Sequence, residues 1–422
     1  MADNGPVPTP DEDSPLALAR WLADPSARAA HSAAEAAIAA GPRDRVGFAN
    51  RLRRTRPELS SAQASAVLEQ ADLRRLAAQR YGIDAGGLLL TRDGLEQATR
   101  PEVAGQRAHL ISAAGAHQVI DLTGGLGFDT SAFLAAGLAV TSVERDPVIA
   151  TFLTHNCPHA RVLTADATDA SFVDDLINSL GADDVVFADP ARRDPSGARG
   201  PTLRARPERD PTRWSPAWPF IESLPHPRIA AKVAPGMRIP SGWRAEWSSV
   251  ERTVVDCAVY SWPVFAAPRR AVVWSDGRST VIDAGDSTSP PVADAVGAWL
   301  HEPDPAILRA GAVGTLAAAH SGLRTLGRES TWLTSDADLV SDTARSFEVI
   351  EQLTGSTTEQ RRQLDRLRVV ALTVKSRDVD VAPATALREL GRAEGIDHIL
   401  IITRLGMRTI RLVCSPARPR SS

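Results

Sequence analysis

Val119–Thr130 reads VIDLTGGLGFDT. An apolar run leads to Asp121, three glycines (Gly124, Gly125 and Gly127) follow, and a helical pattern begins after them. Glycines at such a strand-to-helix turn let the backbone approach a ligand and leave N–H groups free at a helix start. A dinucleotide-binding turn would need G-x-G-x-x-G. Starting at Gly125, the third glycine position holds Thr130, so that fingerprint is incomplete. Taken alone, the turn is equally what any tight strand-to-helix connection requires.

The flanking sequence adds what the turn lacks. LAVTSVE (138–144) reads as a second strand, residues 147–156 as a helix, and ARVLTAD (160–166) as a third strand. SFVDDLINSL (171–180) reads as a helix and DDVVFADP (183–190) as a fourth strand. RIAAKVAP (228–235), RTVVDCAVYSW (252–262) and RAVVW (270–274) are further strand candidates. Strand–helix alternation at this spacing predicts a parallel sheet with helices on both faces. Glu144 ends the second strand twenty residues after Gly124. Asp166 ends the third, twenty-two residues on, and Asp189 the fourth, a further twenty-three. Open α/β sheets bind ligands at the carboxyl ends of their strands, and an acid after the second is placed for ribose hydroxyls.

The 422 residues suggest two to three domains, at 43% hydrophobic and 23% charged. Three cysteines without a CxxC pair exclude a disulfide framework and disfavour a cysteine zinc site. No HxH or HExxH set offers metal ligands, and a proline separates His155 from His159. No apolar run is long enough to cross a membrane, and the acidic, proline-rich start is no signal peptide. The expectation is a soluble, cytoplasmic protein. Residues 1–13 read as a disordered tail, 14–100 as a helical region, and 101–275 as the alternating α/β domain. Residues 276–291 read as a linker with a short strand candidate. Within a final unit, 292–422, the stretch 292–355 looks mostly helical. After it come a strand (367–374), a helix from Pro383 to Glu394 and two strands (397–403 and 408–414), a small α+β unit.

The net charge is −3, yet all but two of the 48 cationic residues are arginines. Six arginines stand against one aspartate over 43–56, and seven against three acids over 192–213. Five arginines and Lys375 stand against one aspartate over 361–377. Each cluster alone reads as a solvated face; three in a net-acidic chain suggest localised phosphate contacts.

From about residue 95 to 275 the chain resembles the class I S-adenosylmethionine-dependent methyltransferases, whose Rossmann-like motif D-x-x-x-G-x-G stands here as Asp121, Gly125 and Gly127. The resemblance implies that the turn, from Asp121 through Thr123, Gly124, Gly125 and Gly127, faces the methionine part of S-adenosylmethionine. It implies Glu144 at the ribose and Asp166 near the adenine. DPAR (189–192) occupies the position of the family's [DNS]PP[YFW] motif, which holds an amino nitrogen for methylation. Asp189 and Pro190 are then the catalytic pair, and Arg192 and Arg193 substrate-binding. Ala191 and Arg192 replace the second proline and the aromatic that stacks on a base, so Arg192, Trp214, Trp218 or Phe220 would have to substitute. The lead-in LEQATRPEVAGQRAHLI (95–111) resembles that of cap-guanosine hypermethylases, with Arg100 inserted between Thr99 and Pro101. Blocks at 299–311, 331–336, 344–351 and 375–414 resemble the THUMP-like domain that follows such enzymes in some bacteria, which implies an RNA partner.

Three readings follow. One is N-methylation of a base in tRNA or rRNA, without a metal. The second is methylation of a small molecule or protein. The third is a non-catalytic RNA-binding protein that kept the fold.

Overall fold

The computed structural model describes residues 13–39, 45–192, 208–285, 290–328 and 330–416. The chain forms two compact units. The first runs to Ala234 and regains Val259–Val264; the second comprises Pro235–Ala258 and everything from Phe265.

In the first unit, α1 (Pro15–Ala23), α2 (Arg28–Ala39), α3 (Arg45–Thr55) and α4 (Ser61–Tyr81) precede α5 (Arg92–Gln97) and α6 (Pro101–Ala113). Their starts are legible in local chemistry. Ser60 and Gln63 form a reciprocal capping box on α4, and α6 opens on a proline. Leu22, Val67, Leu73 and Leu95 share one core with Leu126 and Phe152 of the sheet-bearing part. The alternation then runs β1 (Gln118–Asp121), α7 (Phe128–Ala135), β2 (Ala139–Glu144), α8 (Pro147–Asn156), β3 (Arg161–Thr164), α9 (Ala170–Ile177), β4 (Val185–Ala188), α10 (Trp218–Glu222) and β5 (Ile229–Lys232). All five strands are parallel, in the order β3-β2-β1-β4-β5. Because β1 has β2 on one side and β4 on the other, the crossovers diverge at its carboxyl end and open a crevice there.

In the second unit, β6 (Arg244–Val250) pairs parallel with β8 (Arg269–Ser275), and β9 (Arg278–Ala284) pairs antiparallel with β8. The turn-rich stretch after Ser275 therefore carries a paired strand. β7 (Thr253–Tyr260) begins in this unit and ends in the first. Next come β10 (Trp299–Pro303), α11 (Pro305–Ala310), α12 (Val313–Ala319), β11 (Arg324–Thr325), β12 (Leu333–Ser335) and β13 (Ala344–Leu353). The chain closes with α13 (Thr357–Arg366), β14 (Ala371–Ser376), α14 (Pro383–Leu390), β15 (Ala393–Glu394), β16 (His398–Leu405) and β17 (Arg408–Cys414). These eight strands form one mixed sheet, ordered β11-β12-β10-β13-β17-β16-β14-β15.

The expectation of a mostly helical 292–355 was wrong, since four of the sheet's strands lie there. ARSFEVIEQL carries helix-favouring Glu, Gln and Leu, but β10 on one side and β17 on the other hold it extended. Strand pairing overrides propensity where both neighbours are long-range. The expected disorder of 1–13 falls, Asp13 apart, outside the described residues. No helix among the described residues is long and apolar enough to cross a membrane.

Trp332, fully buried, meets Phe347 edge-to-face at 6.0 Å between ring centres. Trp332→Ala should cost about 3–5 kcal/mol, the usual range for emptying a buried aromatic site. Urea denaturation followed by circular dichroism measures it.

Candidate active site

The glycine turn is shaped mainly by packing. A Cβ at Gly124 would drive into Ser142 Oγ and Leu153 Cδ2, and one at Gly127 would lie 2.6 Å from Cys157 Sγ, with φ at +88°. Gly125 differs: its φ is +52° and the nearest atom to its would-be Cβ is 3.9 Å away. It is the glycine of the three that leaves room for a ligand.

Asp121 faces inward. Only 1% exposed, it accepts hydrogen bonds from Thr123 N (3.0 Å) and Thr130 Oγ1 (2.7 Å), tying the turn to α7. Burial pushes its pKa up to about 7; the two hydrogen bonds oppose the rise, and Asp129 and Asp189 add to it. Thr123 Oγ1 accepts from Asp189 N at 2.6 Å, joining the turn to the end of β4. Glu144 is half-buried, its Oε2 accepting from Gly125 N (3.1 Å) and its Oε1 from Asp146 N (2.8 Å). Asp166 is exposed. Thr168 donates to it from backbone and hydroxyl at 2.9 and 2.8 Å, and these bonds hold its carboxyl below the usual range.

Asp189 rests on a buried charge network. Lys232, the last residue of β5, contacts Asp189 Oδ2 and donates to Thr99 Oγ1 at 2.7 Å. Thr99 in turn donates to Asp129 Oδ2, and Arg107 on α6 pairs with Asp129 Oδ1. Arg107 also lies over the Phe187 ring at 5.3 Å. Burial alone would raise the Asp129 pKa, but Arg107, Lys232 and the Thr99 hydroxyl outweigh it and hold the group ionised below its ordinary value. Among the described residues Asp189 Oδ1 accepts no hydrogen bond.

After Pro190 the chain is pinned by Ala191, whose N donates to Ser215 O (2.8 Å) and whose O accepts from Ser215 N (3.2 Å). Arg192 is half-exposed, and Arg193 lies outside the described residues. Two proposed substitutes for the missing aromatic do not serve. Trp214 and Trp218 are buried, and their indole nitrogens bond Glu208 O and Glu222 Oε2. Their apolar bulk fills the core beneath the segment, and Phe220 remains half-exposed. No group of three or more His, Cys, Asp or Glu among the described residues could hold a metal.

A cavity of about 640 Å³ lies among α6, α7 and the end of α4, lined by Ala104, His109, Phe128, Ala132 and Cys157. Of the sequence-derived site residues it contains only Gly127. The acids gather instead at the strand ends, where the sheet order opens its crevice, and that is the site the topology supports.

The chain is similar to known proteins over most of its length. A crystal structure from Porphyromonas gingivalis W83, described as that of a methyltransferase, superposes with a TM-score of 0.65, covering 97% of this chain and 99% of that one at 21% identity. Two relatives from strains of Mycobacterium tuberculosis, described as uncharacterised S-adenosylmethionine-dependent methyltransferases, are 26% identical over 374 residues, 83% of this chain and 97% of theirs. A THUMP domain-like family model matches residues 344–416. Over most of its length the chain is similar to S-adenosylmethionine-dependent methyltransferases, and its C-terminal part matches a THUMP-like domain.

Sequence reasoning missed the network of Lys232, Thr99, Arg107 and Asp129 that supports Asp189. The available signal was rarity: Lys232 is one of two lysines in the chain.

Asp121 should give the enzyme a measurable pH signature. Between about pH 4 and 7 the folded state keeps a proton that the unfolded chain has lost, so this group's contribution to stability falls as pH rises through that window and levels off above it. Asp121→Asn should therefore gain stability relative to wild type from pH 4.5 to 7.5, as read by urea unfolding at both. Asp129→Asn, which removes the carboxylate that pairs with the buried Arg107, should cost about 3–5 kcal/mol at pH 7 in the same assay.

Proposed function

We propose that the protein is an S-adenosylmethionine-dependent methyltransferase that N-methylates a base in structured RNA, tRNA or rRNA, with Asp189 and Pro190 holding the acceptor amine. The observation that carries the reading is the state of Asp189. Lys232 occupies one carboxylate oxygen, and the other is left as an acceptor at the mouth of the crevice. An N–H donated to Asp189 Oδ1 fixes the direction of the nitrogen lone pair, and Lys232 holds that carboxylate in place. The Pro190 carbonyl is the second acceptor, on a backbone restricted by the ring.

The residues present fit the cofactor. Gly125 leaves open space, and Glu144 and Asp166 stand at successive strand ends with their carboxylates partly or fully exposed. We assign the methionine part to the turn at Thr123–Gly127, the ribose to Glu144 and the adenine end to Asp166, with Asp121 bracing the turn from behind. S-adenosylmethionine supplies an already activated methyl group when bound, so the protein's task is alignment and exclusion of water. We assign Arg192, and from the sequence alone Arg193, to contacts with the RNA backbone. The helical region 14–100 and the THUMP-like part after residue 292 provide the remaining grip, and the enzyme acts in the cytoplasm. The match to a THUMP domain-like model and the arginine-rich composition support an RNA substrate.

A second reading, a non-RNA acceptor, draws on one observation: Trp214 and Trp218 are buried and cannot stack on a base.

Calorimetry should give micromolar binding of S-adenosylmethionine, weakened at least tenfold by Glu144→Ala. Asp189→Ala should leave that binding intact while lowering tritium transfer to total RNA, taken from a strain lacking the gene, by a hundredfold or more. Transfer to protein or small-molecule fractions instead would establish the second reading.

A further inference from the structure

The second unit contains an unusual charge arrangement around Glu302 on β10. Its side chain is 6% exposed. Lys375 Nζ lies 2.8 Å from Oε2 and an Arg377 nitrogen 3.0 Å from Oε1. A nitrogen of Arg252 stands 3.6 Å from Oε2 and donates to the Glu302 carbonyl at 3.1 Å. Arg345, exposed, is the residue paired with Glu302 across the β10–β13 ladder. Three cations thus contact one carboxylate, and a fourth stands opposite it on the neighbouring strand.

One further acid lies close by. Asp304 is fully buried and committed inward, accepting from Ser249 Oγ at 2.6 Å and from Ala306 N at 2.8 Å. Counting it in full still leaves two positive charges unbalanced. The excess is felt locally. Burial lowers the Arg252 pKa; Glu302 and Asp304 oppose that, and Arg345 and Arg377 push it down further. Arg252 is also held at a conformational cost. It and Glu251 both adopt left-handed backbone angles (φ +64° and +46°) in the turn between β6 and β7, which non-glycine residues rarely do.

The excess faces outward. The side chains of Arg377, Lys375 and Arg252 are 42%, 25% and 23% exposed while their common partner is sealed beneath them. Two neighbouring arginines of the 361–377 run are otherwise engaged: Arg366 pairs with Glu351, and Arg361 donates to the Glu389 carbonyl. The basic run is therefore not one patch. Lys375 and Arg377 leave it to join residues far off in sequence.

We propose that Arg252, Arg345, Lys375 and Arg377 form a phosphate-binding site on the THUMP-bearing unit, which takes a backbone phosphate of the RNA substrate. Guanidinium forks match phosphate oxygens in pairs, and a half-covered cation group already desolvated from below loses little more on binding. Glu302 acts as a buried brace that preorganises the cations and partly neutralises them. The proposal rests on the RNA reading above.

Full-length protein and bulk tRNA test it, with binding followed by fluorescence anisotropy from 50 to 300 mM salt. The double variant Arg345→Glu/Arg377→Gln leaves Glu302 with Lys375 and Arg252, so it should stay folded by circular dichroism. It should bind about tenfold more weakly, with a salt slope shallower by roughly 0.7–0.9, the change expected when one phosphate fewer is neutralised. A folded double variant with unchanged affinity and slope would overturn the site while leaving the RNA reading standing. No salt-sensitive tRNA binding by wild type would sink both. Equal affinity and an equal variant effect on duplex DNA would overturn RNA as the partner.

Discussion

Asp129 sits on the first turn of α7, almost wholly enclosed, and it is charged because Arg107 and Lys232 are there. Charge in a protein interior is costly unless matched, and here the matching group comes from three places at once: α6, the Thr99 lead-in and the end of β5. The same lysine reaches Asp189. The position of the proposed acceptor-holding carboxylate is thus fixed by the helix that follows the glycine turn. Disturbing any member leaves another buried charge unmatched, so geometry at the site and stability of the unit are not separable quantities.

The turn itself illustrates how one motif divides its labour. Gly124 and Gly127 exist because Ser142, Leu153 and Cys157 leave no space for a side chain, while Gly125 alone faces openness. Asp121, which opens the motif, is buried under Thr130 and works as a strut. Glu144 holds the turn from the neighbouring strand through the Gly125 amide. A proposed cofactor contact and a structural support are interleaved residue by residue.

Much of the first unit could be read from the chain because its signals are local. Proline or a capping acid marks helix starts, as at Asp146-Pro147, and apolar runs bounded by glycine or acid mark the strands. The order of acids at the strand ends followed directly. What could not be read depends on distant partners. β13 is a strand because of β10 and of β17, whose Cys414 lies opposite Val349. Trp214 and Trp218 were plausible stacking groups until their indoles were seen bonded within the core. Lys232 carries no motif at all; its meaning comes from Thr99, 133 residues earlier.

β7 has a consequence beyond its place in a sheet. The chain leaves the first unit after Ala234, spends Pro235–Ala258 in the second, returns for Val259–Val264, and leaves again. Neither unit is a continuous piece of polypeptide. On the ribosome the first cannot be completed until part of the second has been made, although domains elsewhere tend to finish folding in order as they emerge. For the same reason the pair cannot be exchanged with other proteins by a single recombination at one boundary. A single cut in the chain, wherever it is placed, leaves at least one of the two units incomplete.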